Sequence, residues 1–134
     1  MNPTVRKFLA VLAGIVIGNI INGGLITIGP MFIDAPAGVD VNDLESIKAN
    51  IHLYGIKDFS IPFLAHALGT LVGAFTAAKI AKQNEIKYGL GIGVFFLIGG
   101  IAMSYMVYHP IFSPFDLILA YIPMGWLGAK LAKK

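Results

Sequence analysis

The chain has 134 residues, of which 57% are hydrophobic and 13% charged, and the formal net charge is +3. Soluble domains carry about 25% charged residues, so this chain has too little polar surface to cover a small globule in water; disorder is excluded because it needs low hydrophobicity and high charge. With no Cys, a disulfide framework, a thiolate metal site and a cysteine nucleophile are all excluded.

Four stretches are apolar and long enough to cross a hydrocarbon core of about 30 Å, at about 8–33, 60–81, 88–108 and 114–131. The expected fold is all-α, a single transmembrane domain over 1–134. Arg6 and Lys7 ahead of an apolar run resemble the start of a secretory signal. The run is too long for one and lacks a small-x-small cleavage site, so it reads as a first span. Between the first two spans, Asn42-Asp43-Leu44-Glu45 reads as a capping box with Asn42 as cap. Leu44, Ile47, Ile51 and Tyr54 follow at helical spacing and Gly55 stands where a helix would end, which predicts a short amphipathic helix over about 42–54. Ser60 is a candidate cap for the second span. Ser113-Pro114-Phe115-Asp116 reads as a cap Ser, a first-turn Pro and an early acid for the fourth.

Eight of the ten cations lie at the N-terminal tail, the turn after the second span and the C-terminal end, leaving only Lys48 and Lys57 for the opposite side. The acids show the reverse bias, with Glu85 alone among the cations. The positive-inside rule then places both termini in the cytoplasm.

Ala77-Ala78-Lys79-Ile80-Ala81-Lys82 and Gly128-Ala129-Lys130-Leu131-Ala132-Lys133 share one pattern, and Gly23-Gly24 matches Gly99-Gly100. The chain therefore reads as two helical hairpins in tandem, a parallel repeat within a four-helix bundle. Gly14, Gly18, Gly69, Gly73, Gly89, Gly93 and Gly128 form small-residue stripes that let helices approach closely in lipid. Their abundance exceeds the apparent need of one chain, which leads to the expectation of a homo-oligomer.

The candidate ligand or pore residues are the polar ones in or near the spans: Asn19, Asn22, His66, Thr70, Tyr105, His109, Asp116 and Tyr121. Polar groups in a bilayer face protein and find partners. His66 stands out, about two turns into its span, and its candidate partners are Asp116, Tyr105, Tyr121, Asn22 and Thr70. His66, His109 and Asp116 are donor types that a divalent metal accepts, but no ligand-spacing motif is present. A structural hydrogen-bond network is the better reading, and neither a cofactor nor a bound metal is expected.

The run from His66 to Phe75, the Asn42-Asp43-Leu44-Glu45 segment and the run from Tyr121 to Gly128 together resemble a group of small four-span bacterial membrane proteins. The resemblance covers most of the chain, implies the bacterial inner membrane and carries no activity. The phrase at Gly69-Thr70 is similar to small dual-topology fluoride channels, but the strong charge bias and the missing Asn in that helix depart from them. Small multidrug exporters need a membrane-embedded acid that is missing from the span interiors.

Three functions are open at this point. The first is a non-catalytic accessory, assembly or lipid-binding module, with membrane lipids or a membrane protein as partner. The second is a channel or facilitative transporter for a small neutral or weakly polar solute. The third is a membrane enzyme using His66 and Asp116. Nucleic-acid binding is not supported, since the cations serve topology. The orientation is testable: single cysteines introduced at positions 2 and 134 should both resist membrane-impermeant maleimide in intact cells and react after lysis. Labelling of either from outside would overturn it.

Overall fold

In the computed structural model, which describes residues 1–133, six α-helices make four membrane-length rods. They are α1 (Pro3–Ile28), α2 (Leu44–Ala49), α3 (Ile56–Ala81), α4 (Glu85–Met106), α5 (Phe112–Leu119) and α6 (Ile122–Ala132). Single 3-10 turns follow α1 (Gly29–Met31) and α2 (Ile51–Leu53). The protein is a multi-pass membrane protein by the length and apolarity of its helices, with α5 and α6 together forming the fourth rod.

The caps explain where the elements begin. The Asn2 side chain accepts the Thr4 N–H at 2.8 Å, and Pro3 fills the first helical position of α1. The short outer helix is narrower than 42–54 and its cap is Asp43, not Asn42. The Asn42 N–H is already bound by Asp40 Oδ1 at 2.9 Å, and Asp43 Oδ1 accepts from Glu45 N–H at 3.1 Å. Asn50 ends α2 because its side-chain amide donates to the Ser46 carbonyl at 2.8 Å, competing with helix continuation. Gly55 does not terminate that helix; it is the N-cap of α3. Asp58 reaches back to the Gly55 N–H at 2.8 Å, so α3 starts ahead of Ser60, whose hydroxyl donates to the Lys57 carbonyl. A tight turn joins α3 to α4, with Lys82 and Asn84 in the left-handed region; Asn tolerates that region better than most side chains.

The fourth span is not the continuous helix of 114–131. It breaks between α5 and α6 because Pro123 has no N–H to offer the Leu119 carbonyl and its ring crowds that position. Nor is Ser113 the cap of α5. The helix starts at Phe112, and Ser113 Oγ instead accepts the His109 N–H at 2.9 Å.

The hairpins lie in tandem, α1 against α3 and α4 against α6, and α3 sits between α1 and the second hairpin. Of its most apolar window 44% is buried, against 17% for α1 and α4. The interior is built from small residues: Ala10, Ala65, Ala74, Ala77, Ala78, Ala120 and Ala129 are fully buried, while Phe8, Ile20, Ile98 and Ile118 point outward. That distribution suits lipid, where apolar side chains lose nothing by facing out and backbone approach supplies the packing.

The expected packing glycines sit at the crossings inside the chain. A Cβ on Gly73 would lie 2.6 Å from the Gly14 carbonyl oxygen, and one on Gly69 would lie 2.9 Å from that of Gly18. In the second hairpin Gly89 abuts Ala129 and the Gly125 carbonyl, and Gly93 faces Gly125 and the Tyr121 carbonyl. Gly128 meets the Leu71 carbonyl and joins the two hairpins. The stripes that suggested a homo-oligomer are thus engaged within one chain, and Gly125 is a member that the stripe pattern missed.

Gly73→Leu should destabilise the protein in detergent by about 1–3 kcal/mol or block folding, because overpacking there meets backbone. Gly91→Leu, where nothing lies within 4 Å, should leave the thermal unfolding midpoint unchanged. Equal effects would show that the crossing is not sterically limited.

Candidate functional site

Three polar side chains from two rods meet at the end of the bundle opposite the termini. Asp116 lies one turn into α5 and is 4% exposed. The Nδ1–H of His66 on α3 donates to both its carboxylate oxygens, 2.9 Å each. The Tyr121 hydroxyl donates to Oδ2 at 3.0 Å. The Tyr121 ring stacks on the imidazole at a centroid distance of 5.8 Å. His66 therefore joins Asp116, one of its candidate partners, and the contact ties the two hairpins together.

Local backbone makes this meeting possible. The break before Pro123 turns Tyr121 out of helical register, and Gly100 on α4 leaves room for it. A Cβ on Gly100 would lie 2.6 Å from both the Tyr121 ring and its hydroxyl. With the carboxylate accepting at Nδ1, the ring proton sits on that nitrogen, and Nε2 has no protein partner among the described residues. Removing either partner leaves the other polar group without its bond in a largely buried place.

The imidazole also lines a cleft of about 600 Å³. Asn19 and Asn22 of α1 form one wall, and Phe95, Ile98, Gly99 and Met103 of α4 form the other. His66 and Tyr121 stand at its polar end, with Phe96 also in the lining. The cleft exists because α1 and α4, both packed on α3, barely touch each other. Toward the termini the gap is filled: Phe96 abuts Gly18 and Ile92 abuts Gly14. Asn19 is tied to its own helix through the Ile15 carbonyl at 2.9 Å. Asn22 makes no hydrogen bond among the described residues, and its Oδ1 is buried.

The other candidates are placed elsewhere. The Thr70 hydroxyl donates to the His66 backbone carbonyl at 2.8 Å and does not reach the ring. Tyr105 is 86% exposed and outside the site. His109 caps α5: its Nδ1 accepts the N–H groups of Ile111 at 3.3 Å and Phe112 at 3.1 Å. It therefore supports the helix that carries Asp116 and does not join a metal cluster with it; the described residues contain no group of three His, Cys, Asp or Glu side chains set to hold an ion. Around it Phe59 stacks on Phe112 at 4.2 Å and Tyr54 packs on Phe59 at 5.4 Å. Burial there raises the Tyr54 hydroxyl above its ordinary pKa, and the Asp58 charge adds to the rise.

The α4 wall was not foreseen. Gly99-Gly100 carries the only sequence signal for it, and that signal reads equally as a repeat marker. No protein-family model, curated protein or solved structure matches the chain.

The His66–Asp116 pair should show strong coupling. In a double-mutant cycle of His66→Gln and Asp116→Asn, followed by thermal unfolding in detergent, the coupling should be about 1–3 kcal/mol. Additive effects would mean that the contact contributes nothing to the bundle.

Proposed function

We propose that this protein is a non-catalytic, lipid-binding module of the bacterial cytoplasmic membrane, with both termini in the cytoplasm, which holds one membrane lipid in the cleft between α1 and α4. The observation that carries the reading is a cleft in the membrane-spanning part of the chain that combines an apolar α4 wall with a polar end. An opening between two lipid-facing helices admits a molecule sideways from the bilayer, and about 600 Å³ is within the usual range for a bound small molecule. The eight cations at the terminal end support the orientation, and with it a position for the cleft in the outer half.

A continuous passage for solutes is the weaker reading, because Phe96 and Ile92 pack against the α1 glycines on the side toward the termini. Chemistry at His66 is also weaker, because Thr70, the hydroxyl one turn away, is committed to a backbone carbonyl. Small faces left for a second copy or another membrane protein are Gly23-Gly24 and Gly91, with open space before them.

Gly99 lines the cleft and has nothing within 4 Å of its missing Cβ, so Gly99→Trp fills the cleft without disturbing a packed contact. Native mass spectrometry of the protein released from mild detergent should show one retained lipid per wild-type chain and none for Gly99→Trp, at an unchanged unfolding midpoint. Equal retention by both would overturn the proposal.

A further inference from the structure

The polar end of the cleft carries two hydrogen-bonding groups that the fold leaves unused. His66 presents Nε2, an acceptor while the ring proton is held at Nδ1 by Asp116. Asn22 has Oδ1 sealed and unpartnered, which leaves Nδ2, a donor, as the end of the amide open to the cleft that it lines. The two are neighbours: Asn22 packs against Gly69 of α3, and His66 precedes Gly69 by three residues, about 4.5 Å along the helix axis. Asn22 is partly buried, and its Nδ2 has no acceptor within the described fold, so Nδ2 is the atom that a molecule in the cleft can bond while Oδ1 stays sealed.

We infer that the cleft selects a lipid with an uncharged head bearing a free hydroxyl, held between Nε2 of His66 and the amide of Asn22. The inference rests on the lipid-binding reading above. A hydroxyl donates and accepts at once, matching an acceptor and a donor that line one cleft. An ester or ether oxygen cannot donate to Nε2, and an ammonium cannot accept from Nδ2. A phosphate is opposed twice: no Lys or Arg lines the cleft among the described residues, and the Asp116 carboxylate stands directly behind the imidazole. The α4 wall adds Phe95, Ile98 and Met103, which suits the chains of the same molecule.

Three probes with the same tails test the inference: dioctanoylglycerol, its O-methyl ether and dioctanoyl phosphatidic acid, each titrated into the full chain in detergent and read by native mass spectrometry. Dioctanoylglycerol should bind at least about tenfold more tightly than either of the others, since a site that hydrogen-bonds a hydroxyl rejects analogues without one. Asn22→Leu should erase the preference for the free hydroxyl. It should not lower the unfolding midpoint, because Asn22 makes no bond within the fold. Loss of stability in Asn22→Leu with the preference intact would make Asn22 structural and overturn the inference. Equal binding of the three heads, all blocked by Gly99→Trp, would also overturn it while leaving the cleft as a lipid site. Binding that Gly99→Trp does not block would remove the cleft reading as well.

Discussion

The structure depends on backbone-to-backbone approach where side chains are missing. In lipid, apolar side chains gain nothing by moving from solvent to interior, so helices associate through close packing and polar contacts. Here Gly73 lies against the Gly14 carbonyl, Gly69 against that of Gly18, and Gly89 and Gly93 against Gly125. Each crossing has room for hydrogen and for little more. The fully buried alanines extend the same surfaces, and α3 carries most of them because it is the helix with partners on several sides.

That packing rule also creates the cleft. Once α1 and α4 are both drawn onto α3 through their small faces, they have little contact with each other. Toward the termini Phe96 and Ile92 close the gap by packing on Gly18 and Gly14. One to two turns further on, α4 offers Gly99 and Gly100 and α1 offers Asn19 and Asn22, none of which can fill it.

The polar unit is held by elements that each look irregular alone. His109 caps α5 through its imidazole and so supports the helix that presents Asp116. Pro123 interrupts the fourth span, and the break lets Tyr121 turn toward the carboxylate over the open face of Gly100. Asp116 consequently has its oxygens bound by an imidazole and a phenol in a place where an unpaired carboxylate would be costly. The same arrangement directs the remaining imidazole nitrogen away from the pair.

The sequence by itself determined the four spans, their pairing into hairpins and the small stripes, because hydropathy, charge placement and three-to-four-residue spacing are properties of a single helix. It also narrowed the partners of His66 to a few residues, Asp116 among them, because a polar ring at that depth needs one. Local competition moved the details. Asp43 took the cap from Asn42, Asp58 started α3 early, His109 displaced Ser113 as cap, and Pro123 split the last span, each decided by hydrogen bonds that spacing alone does not rank. Tertiary structure decided that the glycine stripes face inward within one chain, that Tyr105 and Thr70 stay out of the polar unit, and that Phe95, Gly99 and Met103 face Asn19 and Asn22 across a gap. Those facts depend on how each rod is rotated about its axis and against which neighbour, and a helix reads the same in sequence at every rotation.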